Sequence, residues 1–214
     1  MAEKEKRSWI NEHIATIIVG LFTAIASILG GWFVYNQSTR DKETDFKIEQ
    51  MKRYNEEKIT LNNRKIAIIY SEMYDLLHKL DIDRVFVIQP HPEMKHIYLS
   101  VFLEVDRNGV SQVKEVFQNL PISDIPRFTK LLATNNWLFY SDISTQVESP
   151  RALALMRSAG STNIAIRQLV NPSGEWIGSL VAENTKERKI PEEKAANMMK
   201  ATANTIQFIL PPIN

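Results

Sequence analysis

The 214-residue sequence predicts an α/β domain of the α+β type, a six-stranded antiparallel sheet flanked by helices, behind a transmembrane helix and a polar helical stalk. Three observations predict it. Ile14 to Val34 runs for 21 residues without a charge. From about Arg64 the chain alternates apolar runs of strand length with hairpin-type turns. Helical apolar spacing brackets that strand-rich region at both ends, which packs helices on an antiparallel sheet.

Residues 1–13 form a short charged N-terminus. The run that follows, taken as 14–35, would span ~31 Å as a helix, matching a hydrocarbon core of ~30 Å. A signal peptide would have a shorter apolar core of ~7–15 residues and a small-x-small cleavage site. This run instead closes on Trp32, Phe33 and Tyr35, an interfacial aromatic pattern. A buried core helix would show a polar face, and none is present. Within the run Thr16, Gly20, Thr23, Ala24, Ser27, Gly30 and Gly31 recur at spacings of three and four. They form a seam that lets helices approach closely, so the expected partners are the lipid bilayer and further copies of the chain.

Residues 36–63 read as a polar juxtamembrane helix with no Pro or Gly and with favourable pairs at Glu43/Lys47 and Glu49/Arg53. Its apolar stripe (Phe46, Met51, Tyr54, Leu61) is thin, so a solvated stalk or a weak coiled coil would satisfy it. The globular domain is expected over 64–214. KIAIIYSEMYDLLHKL places Ile66, Ile69, Met73, Leu76, Leu77 and Leu80 at helical spacing. RVFVIQ is a strand, HPEMK a turn, and HIYLSVFLEV a strand ending at the turn DRNG. VSQVKEVF is expected as a third strand. PISDIPRFTKLLATNN is a short helix with Asp124 as N-cap and Pro126 in its first turn. WLFYSDI is the fourth strand. SPRALALMRSAG is a helix opened by Ser149-Pro150 and stopped by Gly160. NIAIRQLV and EWIGSLVAE are strands joined by the turn at Asn171–Gly174. IPEEKAANMMKATANTIQFIL is the last helix, with Pro191 and acids in its first turn.

Composition excludes several functions. With 26 basic and 25 acidic side chains, nothing global steers the chain toward nucleic acid. The absence of cysteine removes disulfides, thiolate nucleophiles and thioether-linked chromophores. Gly-rich phosphate loops, HExxH and GxSxG are missing, so the expectation is a protein that is not an enzyme and carries no cofactor. His91, Glu93 and His96 around PHPEMKH could be weighed as metal ligands. A mobile turn with no further His or Cys makes a poor preformed site, and a solvated turn is the reading taken, with no metal. His13 and His78 read as local polar residues.

LLHKLDIDRVFVI, LLATNNWLFYSDI, GSTNIAIRQLVNPSGEWIGSLVAEN and IPEEKAANMMKATANTI together resemble a GAF domain, the small α/β sensory fold, over roughly residues 64–210. In the third segment Gly178 is expected to let strand and helix approach closely. The resemblance implies a ligand held between the sheet and the connecting helices. It points to Trp137, Tyr140 and Asp142 on the fourth strand, Arg151 and Arg157 on the next helix, and Arg167 on the following strand. Aromatic faces and guanidinium groups could bind an anionic or heterocyclic ligand; alternatively, the aromatics are core and the arginines surface. The NKxnFxxxDE pattern of cyclic-nucleotide-binding GAF domains is absent.

The layout also resembles the T-even phage holins, on LATNNWLFYSDIS and WIGSLVAENTKERKIPEEKAANMMKATANTI. That resemblance implies a homo-oligomer of the inner (cytoplasmic) membrane acting in host-cell lysis, its soluble domain receiving an antiholin-like regulatory protein. The alternative is a membrane-tethered GAF-type sensor binding a small molecule in the cytoplasm. The two differ in topology. Three basic residues precede the span and five follow within ~20 residues, which favours a cytoplasmic C-terminal domain; a holin of this type needs the reverse.

Overall fold

The structure, a computed structural model, describes residues 27, 32, 48–93 and 95–213. Two compact units divide the chain, Met1–Ile59 and Thr60–Asn214. In the first, Ser27, Trp32 and residues 48–59 are helical and exposed. The expected pair forms there, Arg53 Nη2 to Glu49 Oε1 at 2.7 Å, one helical turn apart. The remaining span and seam residues, with Glu43 and Lys47, lie outside the described residues. Among the described residues no helix is long and apolar enough to cross a membrane.

In the second unit residues 60–80 form helix α1. Ile69, Met73, Leu76, Leu77 and Leu80 are buried as their spacing predicts. Full burial of each such side chain contributes about 1.5–3 kcal/mol. The helix stops as Asp81 turns to φ 57°, with Asp81 N–H bonded to His78 O and Ile82 N–H to Leu77 O.

The strands are β1 Arg84–His91, β2 Tyr98–Asp106, β3 Leu120–Pro121, β4 Trp137–Tyr140, β5 Asn163–Val170 and β6 Trp176–Asn184. They form one six-stranded sheet in the order β3-β2-β1-β6-β5-β4, antiparallel throughout. Helices α2 Pro126–Thr134, α3 Ile143–Gln146, α4 Pro150–Ser158 and α5 Glu192–Ile206 complete the unit. Strand alternation divides the core in two. Val85 and Val87 of β1, Ala165 of β5, and Leu180 and Ala182 of β6 pack in one core with α1 and α5. Ile164, Ile166 and Val181 face a second core with α2, α3 and α4.

Several boundaries differ from the sequence expectation. VSQVKEVF is not a strand: Val113 and Lys114 donate their N–H groups to the Glu104 carboxylate, and Val116 and Phe117 turn back onto Val113 O. The third strand is instead the two-residue Leu120–Pro121. Asp124 does not cap α2; it ends a 3-10 turn, Ile125 is the cap residue, and Pro126 opens the helix. The fourth strand ends at Tyr140, and α5 ends at Ile206. Ser149 does cap α4, its Oγ accepting from Ala152 N, and Gly160 follows at φ 75°. Gly178 serves strand–strand approach, not strand–helix: a Cβ there would lie 2.6 Å from Ile88 O on β1.

Candidate functional site

A cavity of about 100 Å³ lies in the second core, between the sheet and helices α2 and α4. The alternation that buries Val85 and Val87 on one face turns Phe86 and Ile88 toward the cavity. On β6 it turns Val181 and Glu183 the same way, and on β5 Ile164 and Ile166. Phe128 and Leu132 of α2, and Ala152, Leu155 and Met156 of α4, close the other side. The wall is apolar except at Ser100, Ser161 and Glu183.

Those polar groups belong to buried networks. Arg84, with no exposed surface, stands opposite Glu183 in the β1–β6 register and donates Nε–H to Glu183 Oε1 at 2.6 Å. Its Nη2 also contacts that oxygen and donates to Ala159 O at 2.9 Å, and its Nη1 donates to Ser111 O. Ser161 Oγ–H donates to Glu183 Oε2 at 2.8 Å. Glu104 Oε1 lies 3.9 Å from Arg84 Nε. Burial pushes the Glu183 carboxyl above the ordinary range; the charge of Arg84 and the hydrogen bonds from Ser161 and Arg84 oppose this, and Glu104 adds to it. Elsewhere on the wall, Ser100 Oγ accepts Asn119 N–H at 2.9 Å and lies 2.7 Å from His91 Nε2.

None of the six residues expected around a ligand lines this cavity. Trp137 and Arg167 pair across β4 and β5. Trp137 packs in the core with α1 and α5, stacked on Phe139 at 6.2 Å between centroids, so it belongs to the opposite face. Tyr140 packs in the cavity-side core, and burial, then the charge of Glu148, raises its pKa. Asp142 caps α3, accepting Ser144 N–H at 2.8 Å. Arg151 and Arg157 are exposed on α4. The structure therefore disperses the six. What sequence reasoning missed was Glu183 with Arg84: both sit inside strands that read as apolar, and a charge placed in such a run was the available signal.

His91 is buried against Ser100, whereas His96 is exposed beside Trp176. Among the described residues no three His, Cys, Asp or Glu side chains gather as metal ligands.

No protein-family model matches the chain, and no curated protein matches it. Solved structures do. The photoproduct state of GAF3 of Slr1393 from Synechocystis sp. is 16% identical with a TM-score of 0.56, covering 67% of this chain and 90% of that one. The blue-light-absorbing form of the Thermosynechococcus elongatus PixJ GAF domain is 15% identical with a TM-score of 0.55, covering 69% and 87%. A phycoerythrobilin-bound GAF domain from a cyanobacterial phytochrome is 16% identical with a TM-score of 0.52, covering 71% and 92%. The α+β unit of this chain has the fold of GAF domains.

Proposed function

We propose that this protein is a membrane-tethered sensor whose GAF-type domain binds a small molecule and does no chemistry on it. The observation that carries the reading is the cavity between the sheet and α2/α4, apolar but for Ser100, Ser161 and Glu183 among its lining residues. Ligand sites are typically concave, mostly apolar and fitted with a few placed polar groups. Two solved neighbours are GAF domains named with a bound bilin, phycoerythrobilin in one and phycocyanobilin in the other. A bilin does not fit here. The chain has no cysteine for a thioether, and a cavity of about 100 Å³ has no room for four linked rings; benzene alone occupies an engineered cavity of roughly 150 Å³. The tether is the uncharged run 14–35, whose location in the inner membrane is part of the proposal. The lysis reading rests on layout and on the small-residue seam, and the comparisons lend it no support; the cavity favours the sensor.

The test is thermal melting of the full-length chain across a library of compact, uncharged metabolites. A ligand that binds only the folded state raises Tm with concentration. At least one compound should do so saturably, and Ala152→Leu, which fills the cavity, should abolish the shift. A library without any such compound, or a shift that survives Ala152→Leu, would remove the reading.

A further inference from the structure

The cavity presents almost nothing but carbon to an incoming molecule. Phe86 and Ile88 on β1, Phe128 and Leu132 on α2, and Leu155 and Met156 on α4 set its character. The three polar residues around it are engaged by protein partners. Ser161 Oγ–H donates to Glu183 Oε2, Glu183 Oε1 accepts from Arg84, and Ser100 Oγ accepts Asn119 N–H beside His91 Nε2. Among the described residues, the buried side-chain polar atoms without a hydrogen-bond partner are Gln89 Oε1, Thr129 Oγ1 and Arg188 Nε. None of those residues lines the cavity. A polar molecule entering would give up its hydrogen bonds to water and receive none in return, at a cost that is larger still for an ion. An apolar molecule gives up no hydrogen bond and gains dispersion contacts with the wall. Size is bounded as well. Benzene occupies an engineered cavity of roughly 150 Å³, so in proportion a cavity of about 100 Å³ takes about four heavy atoms.

Resting on the reading of the cavity as a ligand site, we propose that its ligand is a compact, hydrocarbon-like solute of about four heavy atoms, held by shape and dispersion without a hydrogen bond to the protein. Carbonyl, hydroxyl and charged molecules of the same size are kept out by their own hydration. The exposed arginines Arg151 and Arg157 on α4 take no part, because neither lines the cavity.

The probes are isobutene, acetone and 2-propanol, which have the same branched skeleton and the same number of heavy atoms. Where isobutene has a methylene carbon, acetone has a carbonyl oxygen and 2-propanol a hydroxyl. Each is titrated into the full-length chain carrying methyl-labelled Ile and Leu. Shifts are read at Leu132, Leu155 and Ile164 around the cavity, with Ile69 and Leu180 in the opposite core as controls. Isobutene should move the cavity methyls saturably, leave the controls in place and bind at least tenfold more tightly than either oxygen-bearing probe. The shifts should be lost in Ala152→Leu, and the control methyls make the same distinction within the unaltered chain. A preference below tenfold, or a reversed one, would show that the wall supplies a hydrogen bond. That result would overturn the proposed ligand class while leaving the cavity a binding site. If no probe moves the cavity methyls, or the controls move equally, the ligand-site reading itself fails and the proposal with it.

Discussion

Arg84 and Glu183 face each other across the β1–β6 pairing, both buried, with Glu183 among the residues around the cavity and Arg84 outside its wall. Two carboxylates, Glu183 and Glu104, share that one guanidinium. Removing one partner of a buried pair leaves an uncompensated charge in a poorly solvated place. Arg84→Met should therefore lower stability by about 3–5 kcal/mol in urea unfolding. A loss below ~1 kcal/mol would mean that water solvates the carboxylates without the guanidinium.

Glu104 explains the loop that replaced an expected strand. Its carboxylate accepts from Val113 N–H at 2.9 and 3.1 Å and from Lys114 N–H at 2.7 Å. Those donors would otherwise need a ladder partner. Glu104→Leu should free them, so amide exchange at Val113 and Lys114 should speed up well beyond any change at β5 and β6. Uniform acceleration across the sheet would point to global destabilisation and leave the loop without a specific anchor.

The same residue marks where sequence reading ran out. In VSQVKEVF, Val110, Val113 and Val116 recur every three residues, which fits neither face of a strand, and the decisive acceptor lies in another strand. The α1 core was legible because Ile69, Met73, Leu76 and Leu80 keep helical spacing whatever they pack against. The hairpin at Asn171–Gly174 was legible because Asn171 Oδ1 accepts from Ser173 N and Glu175 N, a local device written in local residues. The cavity was not. Its walls are ordinary apolar residues such as Phe86, Phe128 and Ile164, taken from separate elements, and only the fold brings them together. Trp137 and Tyr140 stand three residues apart on β4, which places them on opposite faces of the sheet and in different cores.

Gly178 offers a test of strand packing. Its φ is 156°, and a Cβ would stand 2.6 Å from Ile88 O, a backbone atom that cannot rotate away. Gly178→Ala must therefore push β6 from β1 beside the β1 bulge at Val87/Ile88. The expected loss is about 1–3 kcal/mol, within the range of local backbone strain. Gly174→Ala is the contrast. Its Cβ would meet nothing within 4 Å, so only the strain of φ 81° remains, and the loss should be smaller. Equal losses from the two substitutions would show that β1 and β6 yield freely.

Asp83 should set the acid limb of stability. It is buried between α1 and β1, with Oδ2 accepting from Thr185 N at 2.9 Å and Thr185 Oγ at 3.1 Å, and Oδ1 contacting Arg188 Nη2. Burial pushes its pKa up, but the bonds from Thr185 and the charge of Arg188 outweigh that and hold it below the ordinary aspartate value. A carboxylate with a depressed folded pKa contributes stability that is present above its unfolded pKa of about 3.9 and is lost as pH falls through the folded value. Glu183 has the opposite sign: with its pKa raised, its contribution is present below the unfolded value and lost as pH rises through the folded one. The two would be mixed in a single pH profile. Comparison with Asp83→Asn separates them, because Glu183 is present in both proteins and cancels in the difference. At pH 6 the variant should be less stable by about 1–3 kcal/mol, since the amide nitrogen facing Arg188 is a donor set against a donor. The difference should shrink steadily between about pH 5 and pH 3 as Asp83 protonates in the unfolded and then the folded chain. A difference that stays constant from pH 6 to pH 3 would mean that Asp83 holds no excess proton affinity in the unfolded state, and that its link to Thr185 and Arg188 does not govern the acid transition.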